Sequence, residues 1–233
     1  MSSTTATATT ETEAGPAPAA THNTVAKYSV ELIGAFVLVF TAAAVSFTGT
    51  AMGPVAVGAV ILALVYAGGH ISGGHYNPAI SLAALVRGRL DPLDAAGYWI
   101  VQLVGGVLGA LLARWVVNPT HVATRTLSGH LEPAGFVAEL LFTFALCYVV
   151  LNVATSRDHP VNSFYGLAIG FTVIAGAFAV GSISGAAFNP AVVLGAAASG
   201  LFAWSTLWVY ILAQVVGGVL AGLAFRALNP ADS

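Results

Sequence analysis

The sequence predicts an all-α membrane protein, a bundle of six transmembrane helices plus two re-entrant half-helices built on an inverted internal repeat. Three observations carry that expectation. The 233 residues are 58% apolar and only 7% charged, with a mean hydropathy of +0.88, whereas soluble domains carry about 25% charged residues. Six apolar stretches are long enough to cross a bilayer, which takes about 20 residues. Two further apolar segments of about half that length each open with Asn-Pro-Ala.

Taken in order, residues 1–26 are rich in Thr, Ala and Pro, with Glu11 and Glu13 as the only charges. They lack the basic start and apolar run of a secretory signal, and are expected to form a disordered tail. Spans follow near 28–48 and 51–70, then the short piece 77–86 (NPAISLAALV), then a span near 95–117. These make a first repeat over 27–118. A connecting loop, 119–132, leads to a second repeat over 133–228, with spans near 134–154 and 161–181, the short piece 189–198 (NPAVVLGAAA) and a last span near 204–228. Residues 229–233 are a C-terminal tail. A ten-residue helix is about 15 Å long, roughly half of a ~30 Å hydrocarbon core, so neither short piece can span.

Composition also excludes function classes. A net charge of -2 offers no basic face to nucleic acid. A single cysteine, Cys147, rules out an internal disulfide or a cysteine-based zinc site. No nucleophile–base pair, metal cluster or nucleotide motif is visible, so neither enzyme activity nor a cofactor is expected. Lys27, Arg87, Arg89, Arg157 and Arg226 fall on the side of the N-terminus, and Arg114 and Arg125 on the other. By the positive-inside rule both termini are cytoplasmic, and the short chain fits a prokaryotic inner membrane.

The two halves are copies. SGGHYNPAISLAA at 72–84 aligns with SGAAFNPAVVLGA at 184–196 at an offset of 112, which also pairs Gln102 with Gln214 and Gly105-Gly106 with Gly217-Gly218. Glu31 and Glu139 pair at an offset of 108. Three spans per copy force the second copy to be inverted. Inverted repeats with interrupted helices place their site at the midplane, where irregular backbone survives only inside protein or beside a watery cavity.

Asn-Pro-Ala at 77–79 and 189–191 is a helix-start signal: Asn caps, Pro suits the first turn and Ala propagates. Two half-helices starting at Asn77 and Asn189 would aim their N-termini at the midplane, each carrying about half a positive charge. A monovalent cation ~4 Å from both ends meets roughly 4 kcal/mol of repulsion at an effective dielectric of ~20. Neutral molecules meet none, and can accept hydrogen bonds from the Asn amides. The constellation describes a pore for uncharged solutes.

At these residues the chain resembles the major intrinsic proteins, the aquaporin family. GHISGGHYNPAI at 69–80 and GAAFNPAV at 185–192 are similar to its two signature loops, made by Asn77, Pro78, Ala79, Asn189, Pro190 and Ala191. The similarity runs over about 28–228. It implies an aquaporin-like right-handed bundle in the lipid bilayer, a pore in each protomer and a homotetramer passing small neutral solutes and water.

Many family members follow the second Asn-Pro-Ala with Arg, where this chain has Val192. The resemblance assigns the other filter positions to Val57, Ala177 and Ala186, which stand 20 residues before Asn77, and 12 and 3 before Asn189. Water-selective members are similar to one another in having an aromatic, a His and an Arg in this ring. With Val, Ala, Ala and Val, the constriction should be wide and poor at replacing the hydrogen bonds of single-file water. That favours glycerol, urea, ammonia, hydrogen peroxide or a neutral metalloid acid such as arsenite, with water possible.

Glu31 and Glu139 are either proton relays or buttresses bonding the backbone of their own half's re-entrant loop; the resemblance implies the buttress. His70 and His75 flank the first loop and lack the partners a metal would need, so gating, loop packing or ordinary hydrogen bonding remain. Two rival functions are a coupled secondary transporter, which also uses inverted repeats, and an ordinary water-selective aquaporin.

Overall fold

The computed structural model describes residues 23–160 and 162–232. Among the described residues eight α-helices follow in the order α1 (Thr24–Thr48), α2 (Gly53–Ser72), α3 (Pro78–Arg87), α4 (Pro92–Val117), α5 (Leu131–Thr155), α6 (Tyr165–Val180), α7 (Pro190–Ala198) and α8 (Leu207–Leu228). Five of them, α1, α2, α4, α5 and α8, meet the length and hydropathy of a membrane span. The described residues are all-helical, with the span lengths of a multi-pass membrane protein.

Three boundaries differ from the sequence expectation. Most of the expected tail, residues 1–22, lies outside the described residues, but Thr24–Ala26 already belong to α1. Asn23 starts the helix early because its Oδ1 accepts from Ala26 N at 2.8 Å, satisfying a donor of the open first turn. Helix α6 has 16 residues instead of the expected stretch 161–181, about 24 Å of rise. Asn162 turns the chain before it, with Oδ1 accepting from Phe164 N and Nδ2 donating to Val153 O. At its other end hydrogen-bonded turns carry the chain on to Ser184 and Gly185. The C-terminal segment is docked: Pro230–Asp232 form a 3-10 turn and Asp232 is buried.

Within each half the first and last long helices pack together, α1 on α4 and α5 on α8. Each half-helix packs on the long helix of the opposite half, α3 on α8 and α7 on α4. The crossings are backbone-close, which only glycine allows. A Cβ on Gly106 of α4 would lie 2.7 Å from Ala191 O, and one on Gly218 of α8 would lie 2.8 Å from Ala79 O. Gly105 and Gly109 of α4 likewise face the α1 backbone at Leu32 O and Phe36 O, and Gly222 of α8 faces Ala83 O of α3, while Gly106 and Gly218 seat the Asn-Pro-Ala alanines.

Arginines close the blunt ends of the half-helices. Arg114 Nη1 donates to Ser199 O at the end of α7 (2.6 Å), and its repeat partner Arg226 donates to Val86 O in the last turn of α3 (3.4 Å). A cation there meets unpaired carbonyls and the negative end of the helix dipole.

Asp232 gathers the chain-end face. Its carboxylate pairs with Arg87 (3.0 Å), Arg89 (3.1 Å) and Arg157 (3.3 Å) and accepts from the backbone N–H of Arg157 at 2.7 Å. Arg87 also donates to Thr155 and to Asp232 O, with its guanidinium 4.1 Å from the Phe225 ring centre. The Arg157 N–H, followed by the Arg87 and Arg89 guanidinia, outweighs burial and holds the carboxyl at about 2. A depressed carboxyl stabilises the fold above its unfolded value and loses that contribution as pH falls through about 2. Asp232→Asn should therefore lower the melting temperature at neutral pH. Wild type and variant should converge as the pH approaches 2; equal melting at pH 7 would remove the latch.

Candidate functional site

The site grows from two loops that adopt the same conformation in each half. In the first, Gly73 (φ 93°), Gly74 (φ 65°) and Tyr76 (φ 50°) take left-handed backbone; in the second, Gly185 (φ 93°), Ala186 (φ 53°) and Phe188 (φ 49°) do so. Three of these six carry side chains, and such residues pay roughly 1–2 kcal/mol in that region. The conformation persists because a buried carboxylate holds each loop.

Glu31 and Glu139 are fully buried and carry matching sets of donors. Glu31 accepts from Ser72 Oγ (2.7 Å) and His75 N (2.9 Å) on Oε1, and from Tyr76 N (2.6 Å) and Gln102 Nε2 (2.8 Å) on Oε2. Glu139 accepts from Ser184 Oγ (2.6 Å) and Ala187 N (3.0 Å), and from Phe188 N and Gln214 Nε2 (both 2.8 Å). Tyr98 and Tyr210 donate to Ser72 O and Ser184 O, each at 2.6 Å. The serines and tyrosines were missed as candidates, although both pairs obey the 112-residue offset that revealed the glutamines.

The halves diverge at the histidine. His75 is buried, with Nδ1 3.0 Å from Ser81 Oγ and its ring edge-on to Tyr98. The matching residues in the second half are Ala187 and Val193. His70 is exposed in the last turn of α2, so the two histidines share no environment. No group of three or more His, Cys, Asp or Glu is placed to hold a metal among the described residues.

The two half-helices meet at their N-terminal ends. Asn77 Oδ1 accepts from Ala79 N (2.8 Å) and Asn189 Oδ1 from Ala191 N (2.9 Å), each capping its own helix. Each amide then crosses to the other loop: Asn77 Nδ2 donates to Phe188 O (2.9 Å) and Asn189 Nδ2 to Tyr76 O (3.0 Å). An amide nitrogen has two hydrogens, so one N–H of each Asn is committed to this staple and one is left over.

Both asparagines border one cavity of about 340 Å³, and so do Val57, Ala177, Ala186 and Val192. Most of its wall is aliphatic, including Leu38, Val39, Ile61 and Val173, with Ser46 and Thr50 adding hydroxyls. No Lys, Arg, Asp, Glu or His borders it among the described residues. Glu31, Glu139, His70 and His75 therefore stand apart from the cavity. Pro78, Pro190, Ala79 and Ala191 are buried behind the asparagines as the first turns of α3 and α7.

Comparison with known proteins gives a consistent set. The profile of the family described as Major intrinsic protein matches residues 44–225. The chain is 38% identical over 216 residues to glycerol uptake facilitator protein-like 6 of Lactiplantibacillus plantarum, covering 88% of this chain and 99% of that one. It is 36% identical over 214 residues to probable aquaporin TIP4-1 of Oryza sativa, covering 85% and 84% of the two. Among solved structures, the aquaglyceroporin from Plasmodium falciparum superposes with a TM-score of 0.76 at 22% identity, over 90% of this chain and 98% of that one. That last likeness speaks to fold.

Proposed function

Because the chain belongs to the major intrinsic protein family, we propose that it is a passive channel for small uncharged solutes wider than water, glycerol foremost. Urea, ammonia, hydrogen peroxide and neutral metalloid acids belong to the same class, and water passes with them. The observation that carries this reading is the single cavity bordered by both asparagines and by Val57, Ala177, Ala186 and Val192. A ring of two valines and two alanines has no side-chain donor, so a solute with its own apolar face loses less there than water does. At the half-helix ends the spare Asn N–H groups replace part of a hydroxyl's lost hydration. The name of the bacterial relative, a glycerol uptake facilitator, agrees with that class.

In this reading Glu31 and Glu139 are buttresses: all four oxygens are occupied by donors and none faces the cavity. A coupled transporter would need an ionisable side chain along the path, and among the described residues none borders the cavity. We place both termini in the cytoplasm of a prokaryotic cell, with the protomers assembled as a homotetramer, each with its own pore.

Stopped-flow measurements on proteoliposomes with water, glycerol, urea, ammonia and arsenite test the proposal. Glycerol and urea should equilibrate at least about tenfold faster than in protein-free vesicles. Fast water with exclusion of glycerol, urea and arsenite would establish a water-selective pore instead. Saturable flux driven by a proton or sodium gradient would establish a transporter.

A further inference from the structure

The cavity wall carries no charge at position 192, yet a guanidinium stands beside the same mouth. Arg125 belongs to the loop joining α4 to α5, on the side opposite the chain ends. Its backbone is locked to the wall: N donates to Leu201 O (2.7 Å) and O accepts from Ala203 N (2.9 Å), so the loop pairs with residues bordering the cavity. Its Nη1 reaches the other wall, donating to Ser182 O (3.0 Å) and Ile183 O (3.1 Å), three or four residues before Ala186. The stem lies over Gly185, where a Cβ would sit 3.3 Å from Arg125 Cδ, and Gly185 itself borders the cavity.

Its bonds go to neutral carbonyls, and no carboxylate pairs with it among the described residues. The acids near this face are Glu132 at the start of α5 and the fully buried Glu139, whose oxygens are already taken. The guanidinium therefore adds to this mouth a positive charge that no ion pair offsets among the described residues.

We propose that Arg125 is a specificity-determining residue: it supplies, from the connecting loop, the electrostatic barrier to cations at the far mouth that Val192 cannot supply. It does so without entering the passage, so cation exclusion and a wide aliphatic ring coexist. Cation exclusion then rests on three positive elements, two half-helix ends at the centre and one guanidinium at the mouth. This inference rests on the channel reading above.

The test measures potassium leak and glycerol flux on the same proteoliposomes, with leak normalised to reconstituted protein. Arg125→Gln keeps a carbonyl-directed donor but removes the charge, and should raise the leak at least about tenfold with glycerol flux within about twofold. Arg125→Lys keeps the charge and should stay near wild type. Thr126→Glu, at an exposed neighbour on the same loop, leaves the guanidinium bonds intact and offsets their field, so it should leak as Gln does.

An unchanged leak in Arg125→Gln would overturn the proposal. So would equal leaks in the Lys and Gln variants, because anchoring by the planar fork would then be the operative property. If Arg125→Gln does not fold to a monodisperse protein, Thr126→Glu decides alone: a leak no greater than wild type overturns the proposal. A wild type that passes no neutral solute defeats the channel reading, while the leak per protein still decides Arg125.

Discussion

Val192→Arg is expected to cut glycerol, urea and arsenite flux by about an order of magnitude while leaving water flux within a few-fold of wild type. Val192 borders the cavity beside Ala186 and shares it with Val57 and Ala177. A long planar side chain in a ring of two Ala and one Val narrows the passage directly. It also brings five donors where the other side chains bring none, which suits water better than a solute with an apolar face. Stopped-flow rates for the solute panel check this, and glycerol flux equal to wild type would show that position 192 does not set the width.

The second large effect is on folding. Glu139→Ala should abolish recovery of a monodisperse protein. It strands Ser184 Oγ, Ala187 N, Phe188 N and Gln214 Nε2 in a buried site at once. A buried donor without an acceptor costs about 1–3 kcal/mol, so four reach about 4 kcal/mol at the low end, a large part of a typical folding stability of ~5–15 kcal/mol. Glu139→Gln keeps one acceptor oxygen and turns an N–H group toward donors, so it should fold poorly and melt lower. Between pH 5 and 8, roughly the range of histidine titration, its flux should follow pH as wild type does. A proton relay predicts the reverse, a well-folded Gln variant with an altered pH profile. Size-exclusion profiles and flux against pH separate the two.

Much of this architecture is legible in the residues. The half-helix starts are local facts, since Asn caps and Pro follows, and observed bounds of Pro78–Arg87 and Pro190–Ala198 lie within one residue of the reading. The offset of 112 announces the paired networks, including Tyr98 with Tyr210, because repeat copies keep the donors that their carboxylates require. Boundaries set by weaker signals were misjudged. Asn23 begins α1 through one side-chain bond inside a polar stretch, and α6 is shorter than its apolar run because Asn162 and a series of turns bind its flanks.

By itself, then, the sequence determined the membrane class, the two-fold repeat, the paired half-helices and the absence of a charged residue after the second Asn-Pro-Ala. These depend on hydropathy, periodicity and capping, all of which act over a few residues. Only the tertiary structure decided that each asparagine staples the opposite loop, that Gly106 and Gly218 seat the Asn-Pro-Ala alanines, and that Arg125 comes to lie over Gly185. Those contacts join residues 57 to 139 positions apart, and no local rule relates such residues. Arg125 has no repeat partner within the described residues, so even the internal symmetry that exposed the other pairs carried no sign of it.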